Sequence, residues 1–74
     1  MKKLTEKSFP SILRNLRTAN KLPVRKAADL FGISPSLLQR YESGSVVPGM
    51  TNMEKIADAL GVSVDTLMGR RGAA

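Results

Sequence analysis

Residues 22 to 44, Leu22-Pro-Val-Arg-Lys-Ala-Ala-Asp-Leu-Phe-Gly-Ile-Ser-Pro-Ser-Leu-Leu-Gln-Arg-Tyr-Glu-Ser-Gly44, decide the fold of this chain. Gly32 and Gly44 stand where helices commonly stop, and Pro23 and Pro35 stand where helices commonly begin. Between these breakers the apolar residues recur at helical spacing: Ala27, Ala28 and Phe31 in the first run, Leu38 and Tyr41 in the second. The pattern predicts a helix from about Pro23 to Phe31, a tight Gly32-Ile33-Ser34 turn, and a helix from Pro35 to about Ser43. Ser34 is placed to cap the second helix with its side-chain oxygen. Two helices joined by so short a turn cross at a steep angle.

The flanking sequence extends the same reading. Ser8 is a plausible N-cap for a helix running to about Asn20, and Pro10 is tolerated there because it falls in the first turn. Phe9, Ile12, Leu13, Leu16 and Ala19 form its apolar stripe. After the Ser45–Gly49 loop, Met53, Ile56, Ala57 and Leu60 mark the buried face of a helix from about Met50 to Leu60, ended by Gly61. A last helix follows Ser63 and carries Val64, Leu67 and Met68. No stretch alternates apolar and polar residues long enough to make a strand. The expectation is a single all-α, five-helix domain over residues 8–69, preceded by a basic arm (1–7) and followed by a short tail (70–74).

With 74 residues, no cysteine and no histidine, stability must come from helix packing or a partner subunit, and no cofactor or metal is expected. One tyrosine, two phenylalanines and no tryptophan leave an aliphatic core and no aromatic platform for stacking RNA bases. Twelve Lys and Arg against six Asp and Glu give a net charge of +6, and the sequence pI is about 10.4. That balance favours polyanionic partners, nucleic acid first. No segment approaches the ~20 apolar residues that span a bilayer, and no apolar run follows the basic start as an export signal would require. No membrane association and a cytoplasmic location are the corresponding expectations. An enzyme is not expected, since Asp29, Glu42, Asp58 and Asp65 read as helix-surface, pairing and cap groups, and no glycine loop is laid out to cradle phosphate.

Taken together, Leu16-Arg17, Ala28, Gly32-Ile33-Ser34, Arg40-Tyr41-Glu42-Ser43-Gly44, Pro48 and Lys55-Ile-Ala-Asp-Ala-Leu-Gly-Val-Ser-Val-Asp-Thr-Leu67 resemble the Cro/phage-repressor (Xre-type) helix-turn-helix family over residues 9 to 69. The resemblance implies a lambda-repressor-like DNA-binding domain whose third helix enters the major groove of double-stranded DNA, commonly as a homodimer on paired half-sites. Carried over by motif position, the base-reading set is Ser34, Pro35, Ser36, Leu37, Gln39 and Arg40. Arg40 has the chemistry for a bidentate bond to guanine and Gln39 for one to adenine, while Leu37, read as solvent-facing, suits a thymine methyl group. The bland alternative for Arg40 and Gln39 is solvated surface. Arg17 and Glu42 are implied as a structural ion pair between the first and third helices.

The chain departs from that pattern at two places. Pro35 stands where family members often carry a base-touching Gln or Arg, and Pro23-Val24 stand where many carry Ser or Thr followed by Gln. Arg25 and Lys26 can replace the lost phosphate clamp electrostatically, or they can be an ordinary solvated face. Arg14 and Lys21, with Lys2, Lys3 and Lys7 in the arm, complete the expected phosphate contacts. Dimer candidates are Val62, Val64, Leu67 and Met68, with core packing the alternative for each. The reading is a sequence-specific transcriptional regulator, a repressor of phage, plasmid or mobile-element type. The alternative is a protein-interaction module or antitoxin of the same fold, with a partner such as a toxin and little DNA readout.

Overall fold

A computed structural model describes residues 8–69. Among these residues there are five helices and no strand: α1 (Phe9–Ala19), α2 (Val24–Phe31), α3 (Pro35–Ser43), α4 (Met50–Leu60) and α5 (Val64–Leu67). The basic arm with Lys2, Lys3 and Lys7, and the tail with Arg70 and Arg71, lie outside the described residues.

Helix boundaries follow the caps. Ser34 accepts the Leu37 amide at 3.1 Å and Ser63 accepts the Thr66 amide at 3.1 Å, so α3 and α5 start where a side-chain oxygen satisfies an otherwise orphaned donor. Ser8 occupies the N-cap of α1, but its side chain makes no cap hydrogen bond. Pro23 is the N-cap of α2, one position earlier than the first helical residue expected for it. Its φ of −65° suits a helix, but its ψ of 159° is extended, so the helix begins at Val24. Gly32 ends α2 at φ 73°, and Ile33 N–H donates back to the Ala28 carbonyl at 3.0 Å. A Cβ at Gly32 would come no nearer than 4.0 Å to another group, the Lys55 ammonium. Glycine is therefore demanded here by the backbone angle and not by space.

The core comprises Leu13 of α1, Ala27, Ala28 and Phe31 of α2, Leu38 and Tyr41 of α3, Met53, Ile56 and Ala57 of α4, and Leu67 of α5. Every helix contributes, which makes the five elements one folding unit. Phe9, Ile12 and Leu16 are half-buried against this core, but Ala19 is exposed. Ala19 lies six residues beyond Leu13, about 120° around the helix from the fully buried position, so the stripe ends at Leu16. Pro48, in the loop between α3 and α4, is buried.

Candidate nucleic-acid interface

The site is built on α3, and its inner side is fixed first. Leu38 is fully buried, Tyr41 is 2% exposed, and Glu42 is a buried carboxylate. At about 100° per residue, Ser36, Arg40 and Ser43 fall on the side of α3 opposite Leu38. All three are exposed, as are Ser34, Pro35 and Gln39. Leu37 is half-buried and packs against the core, which corrects its reading as a solvent-facing side chain: α3 crosses its neighbours closely enough to cover this flank.

A three-point clamp from α1 sets the height of α3. Arg17 Nε donates to Glu42 Oε2 at 2.6 Å and Arg17 Nη2 donates to Oε1 at 3.1 Å, a bidentate fork. Its remaining nitrogen, Nη1, donates to the Leu22 carbonyl at 2.9 Å, so one guanidinium also holds the turn into α2. Arg14 Nε approaches Glu42 Oε1 at 3.6 Å, with its own side chain 58% exposed and that of Glu42 only 5%. Hydrogen bonding to Glu42 raises the Arg17 pKa above its ordinary value, with burial opposing and the carboxylate's charge adding to the rise. For a cation held up in this way the stabilisation is complete below the ordinary arginine range and fades only as pH rises through the raised value. The guanidinium half of the clamp therefore stays charged throughout the neutral range.

From the other side, Asn52 of α4 donates from Nδ2 to the Tyr41 hydroxyl at 3.0 Å. The Tyr41 ring meets Phe9 edge-on, with centroids 6.3 Å apart and planes at 70°. Asn52 escaped the sequence reading because an asparagine in a helix carries no periodic signal. Only the fold brings it to a buried hydroxyl.

The phosphate candidates divide by environment. Arg25 and Lys26 are exposed in the first turn of α2, whose amides have no side-chain cap and which has no acidic residue. Together with Asp29 they border an open groove of about 620 Å³ whose apolar lining is Pro23, Ala28, Ile33 and Pro35. Lys21 is exposed in the α1–α2 turn with a left-handed backbone, φ 56°. Arg14 shares Glu42 with Arg17, so it belongs to the clamp as well as to the basic surface. No group of His, Cys, Asp or Glu that could hold a metal is found among the described residues. None of the described helices is long and apolar enough to cross a membrane.

Of the dimer candidates, Leu67 is fully buried in the monomer and so is not available to a partner. Its place on the inner side of the single turn of α5 seals the core. Val62, Val64 and Met68 are half-buried. The large apolar side chains left most exposed are instead Leu30 at 59%, Val47 at 73% and Met50 at 61%.

The helix-turn-helix family pattern HTH_3 matches residues 13–67, which takes in the clamp, the turn and α3. The chain belongs to the Xre/Cro-type helix-turn-helix family. Over 58 residues it is 47% identical to the cryptic phage CTXphi transcriptional repressor RstR of Vibrio cholerae, covering 78% of this chain and 52% of that protein. It thus spans about half the length of that relative. Among solved structures, the restriction-modification controller protein C.AhdI from Aeromonas hydrophila superposes with a TM-score of 0.77 at 33% identity, over 81% of this chain and 91% of that one. An HTH_3 family transcriptional regulator from Vibrio cholerae gives 0.74 at 31% identity, over 85% of this chain and 36% of that one. These relatives are a transcriptional repressor, a restriction-modification controller and a transcriptional regulator.

Proposed function

We propose that this chain is a sequence-specific double-stranded DNA-binding transcriptional regulator, a repressor of phage, plasmid or mobile-element type. Its α3 enters the major groove, and two copies read paired half-sites. The observation that carries this reading is the exposed face of α3, with Ser36, Gln39 and Arg40 outward, on a helix held from behind by the Arg17–Glu42 fork. A side chain can discriminate bases only if its helix is placed to within a fraction of a hydrogen-bond length, and the fork supplies that placement. Arg25, Lys26 and the uncapped start of α2 supply positive potential beside the helix for the DNA backbone. Kinship with a phage repressor adds the regulatory part of the proposal. One α3 reads only a few base pairs, so a second copy is needed for useful specificity. Val62, Val64 and Met68, with the exposed Val47 and Met50, are the surfaces we assign to it.

Selection from a randomised duplex pool tests the reading. Enrichment of a paired half-site, bound with an affinity that falls steeply with salt, is the expected result. A pool that yields no sequence overturns it. The second reading, a protein-interaction module or antitoxin of the same fold, draws on Pro35, which offers a base no donor or acceptor, and on the apolar Val46-Val47 loop. It predicts weak DNA binding alike for all sequences.

A further inference from the structure

Leu30 is an apolar side chain that neither the core nor the face of α3 accounts for. It is 59% exposed in the last turn of α2, beside an open groove of about 460 Å³ lined also by Phe31, Gly32, Lys55, Asp58 and Ala59. Gly32 and Ala59 keep the hollow open, since neither has a side chain beyond Cβ. The Lys55 ammonium reaches from α4 to within 4.0 Å of where a Cβ on Gly32 would lie. It thereby sets a cation at the C-terminal end of α2, a helix with no basic residue in its last turn. Asp58 follows about one turn later on α4. Glu54 is exposed on the same helix but does not line the groove, and Asp29 borders the other groove, beside Arg25 and Lys26.

A protruding leucine, a hollow next to it, a cation and an anion therefore share one patch. A two-fold contact demands that combination, because the same surface must supply both knob and hollow and both signs of charge. Lys55 and Asp58 also cancel, so two copies meet here without the repulsion that a net charge of +6 brings elsewhere. We propose that this patch is a self-association surface, on which a second copy of this chain docks. Leu30 of each copy seats in the groove of the other, and Lys55 faces the partner's Asp58. The patch differs from the Val62, Val64 and Met68 surface assigned to the half-site pair, and none of its residues belongs to the base-reading or phosphate set. With a single exposed apolar side chain per copy it is far smaller than a stable interface in solution. It acts once DNA holds two dimers side by side and raises their effective concentration. The consequence is cooperative filling of neighbouring operators. The inference rests on the DNA-binding reading above and adds the surface that joins one bound dimer to the next.

The test uses the whole chain and duplexes carrying one enriched paired half-site or two in tandem. The tandem spacing is stepped by single base pairs through a full helical turn. Cooperativity is the ratio of tandem to single-site affinity for the same variant. The expected result is a gain of about tenfold at one rotational setting and none half a turn away. Leu30→Ser should abolish the gain and leave single-site affinity unchanged. Asp58→Lys should abolish it too, because each copy then presents like charges. Adding Lys55→Asp to Asp58→Lys should restore it, since a self-complementary surface remains so when both its charges are exchanged. An exchange that stays non-cooperative overturns the self-contact, as does a gain untouched by Leu30→Ser. Single-site binding with no gain at any spacing sinks the inference while the DNA-binding reading stands. Absence of single-site binding removes both. The charge exchange keeps the test decisive if Leu30→Ser misfolds.

Discussion

On its inner side α3 is held by three independent devices. Leu38 is buried in the core, the Tyr41 ring packs on Phe9 and its hydroxyl takes a hydrogen bond from Asn52, and Glu42 sits in the Arg17 fork. On the outer side, Ser36, Gln39 and Arg40 are all exposed, with no burial to fix them. The inner side admits few residue types, because each must satisfy a partner of fixed shape or charge. The outer side admits many, and the choice among them changes what is read without changing the fold. Placement and readout are thus carried by different faces of one nine-residue helix.

The sharpest way to break that division is to remove the inner carboxylate. Glu42→Ala leaves Arg17 facing a buried gap, and loss of one partner of a buried pair costs about 3 kcal/mol. For a domain this small that lowers the melting temperature by ~10–20 °C in a thermal denaturation. An unchanged melting temperature would show that the fork does not hold α3. The outer counterpart is Arg40→Ala, which should leave the melting temperature within a degree or two. It should weaken operator binding by about 1–3 kcal/mol, roughly 5- to 150-fold, and relax preference at one base pair, as read by competition with single-substituted duplexes.

A gentler probe of the inner side is Tyr41→Phe. It keeps the ring contact with Phe9 but strands the Asn52 amide, at a cost of about 1 kcal/mol in urea unfolding. Lys21 supplies the smallest effect and separates the two roles within one residue. It holds φ 56° in the turn whose next carbonyl, that of Leu22, is gripped by Arg17. Lys21→Gly removes the left-handed penalty and should raise stability by up to ~1 kcal/mol, partly offset by the freer unfolded chain. If Lys21 also touches phosphate, the same substitution lowers the salt slope of DNA binding by about one unit. Greater stability with an unaltered slope would assign Lys21 to the turn alone.

Legibility in the sequence follows the same line between local and non-local causes. The bounds of α3 and α4, and the caps at Ser34 and Ser63, were readable because a cap, a glycine stop and a 3.6-residue stripe are all written within a few neighbouring positions. Arg17 and Glu42 could be named as partners only through the resemblance, since they are 25 positions apart. The Tyr41–Asn52 bond, the approach of Arg14 to Glu42 and the exposure of Leu30 had no local signature. They depend on how helices cross, which side-chain periodicity leaves open. Leu37 was misplaced for that reason: its position on α3 is lateral, and whether a lateral residue is covered depends on the neighbouring helix. The outer face of α3 was legible as a list of residues but not as a code, because readout is defined by the DNA it meets.

The shared carboxylate of Glu42 has a consequence for how this domain can change. A simple ion pair can be inverted by exchanging its two members, but Glu42 faces two arginines. Exchanging Arg17 and Glu42 would recreate the fork with its polarity reversed and set the new arginine against Arg14. No two-residue exchange is neutral, and three positions on two helices must move together before the junction can be rewritten. Substitutions at the α1–α3 junction are therefore expected to cost stability singly, whereas the outward residues of α3 can be exchanged one at a time without disturbing the fold.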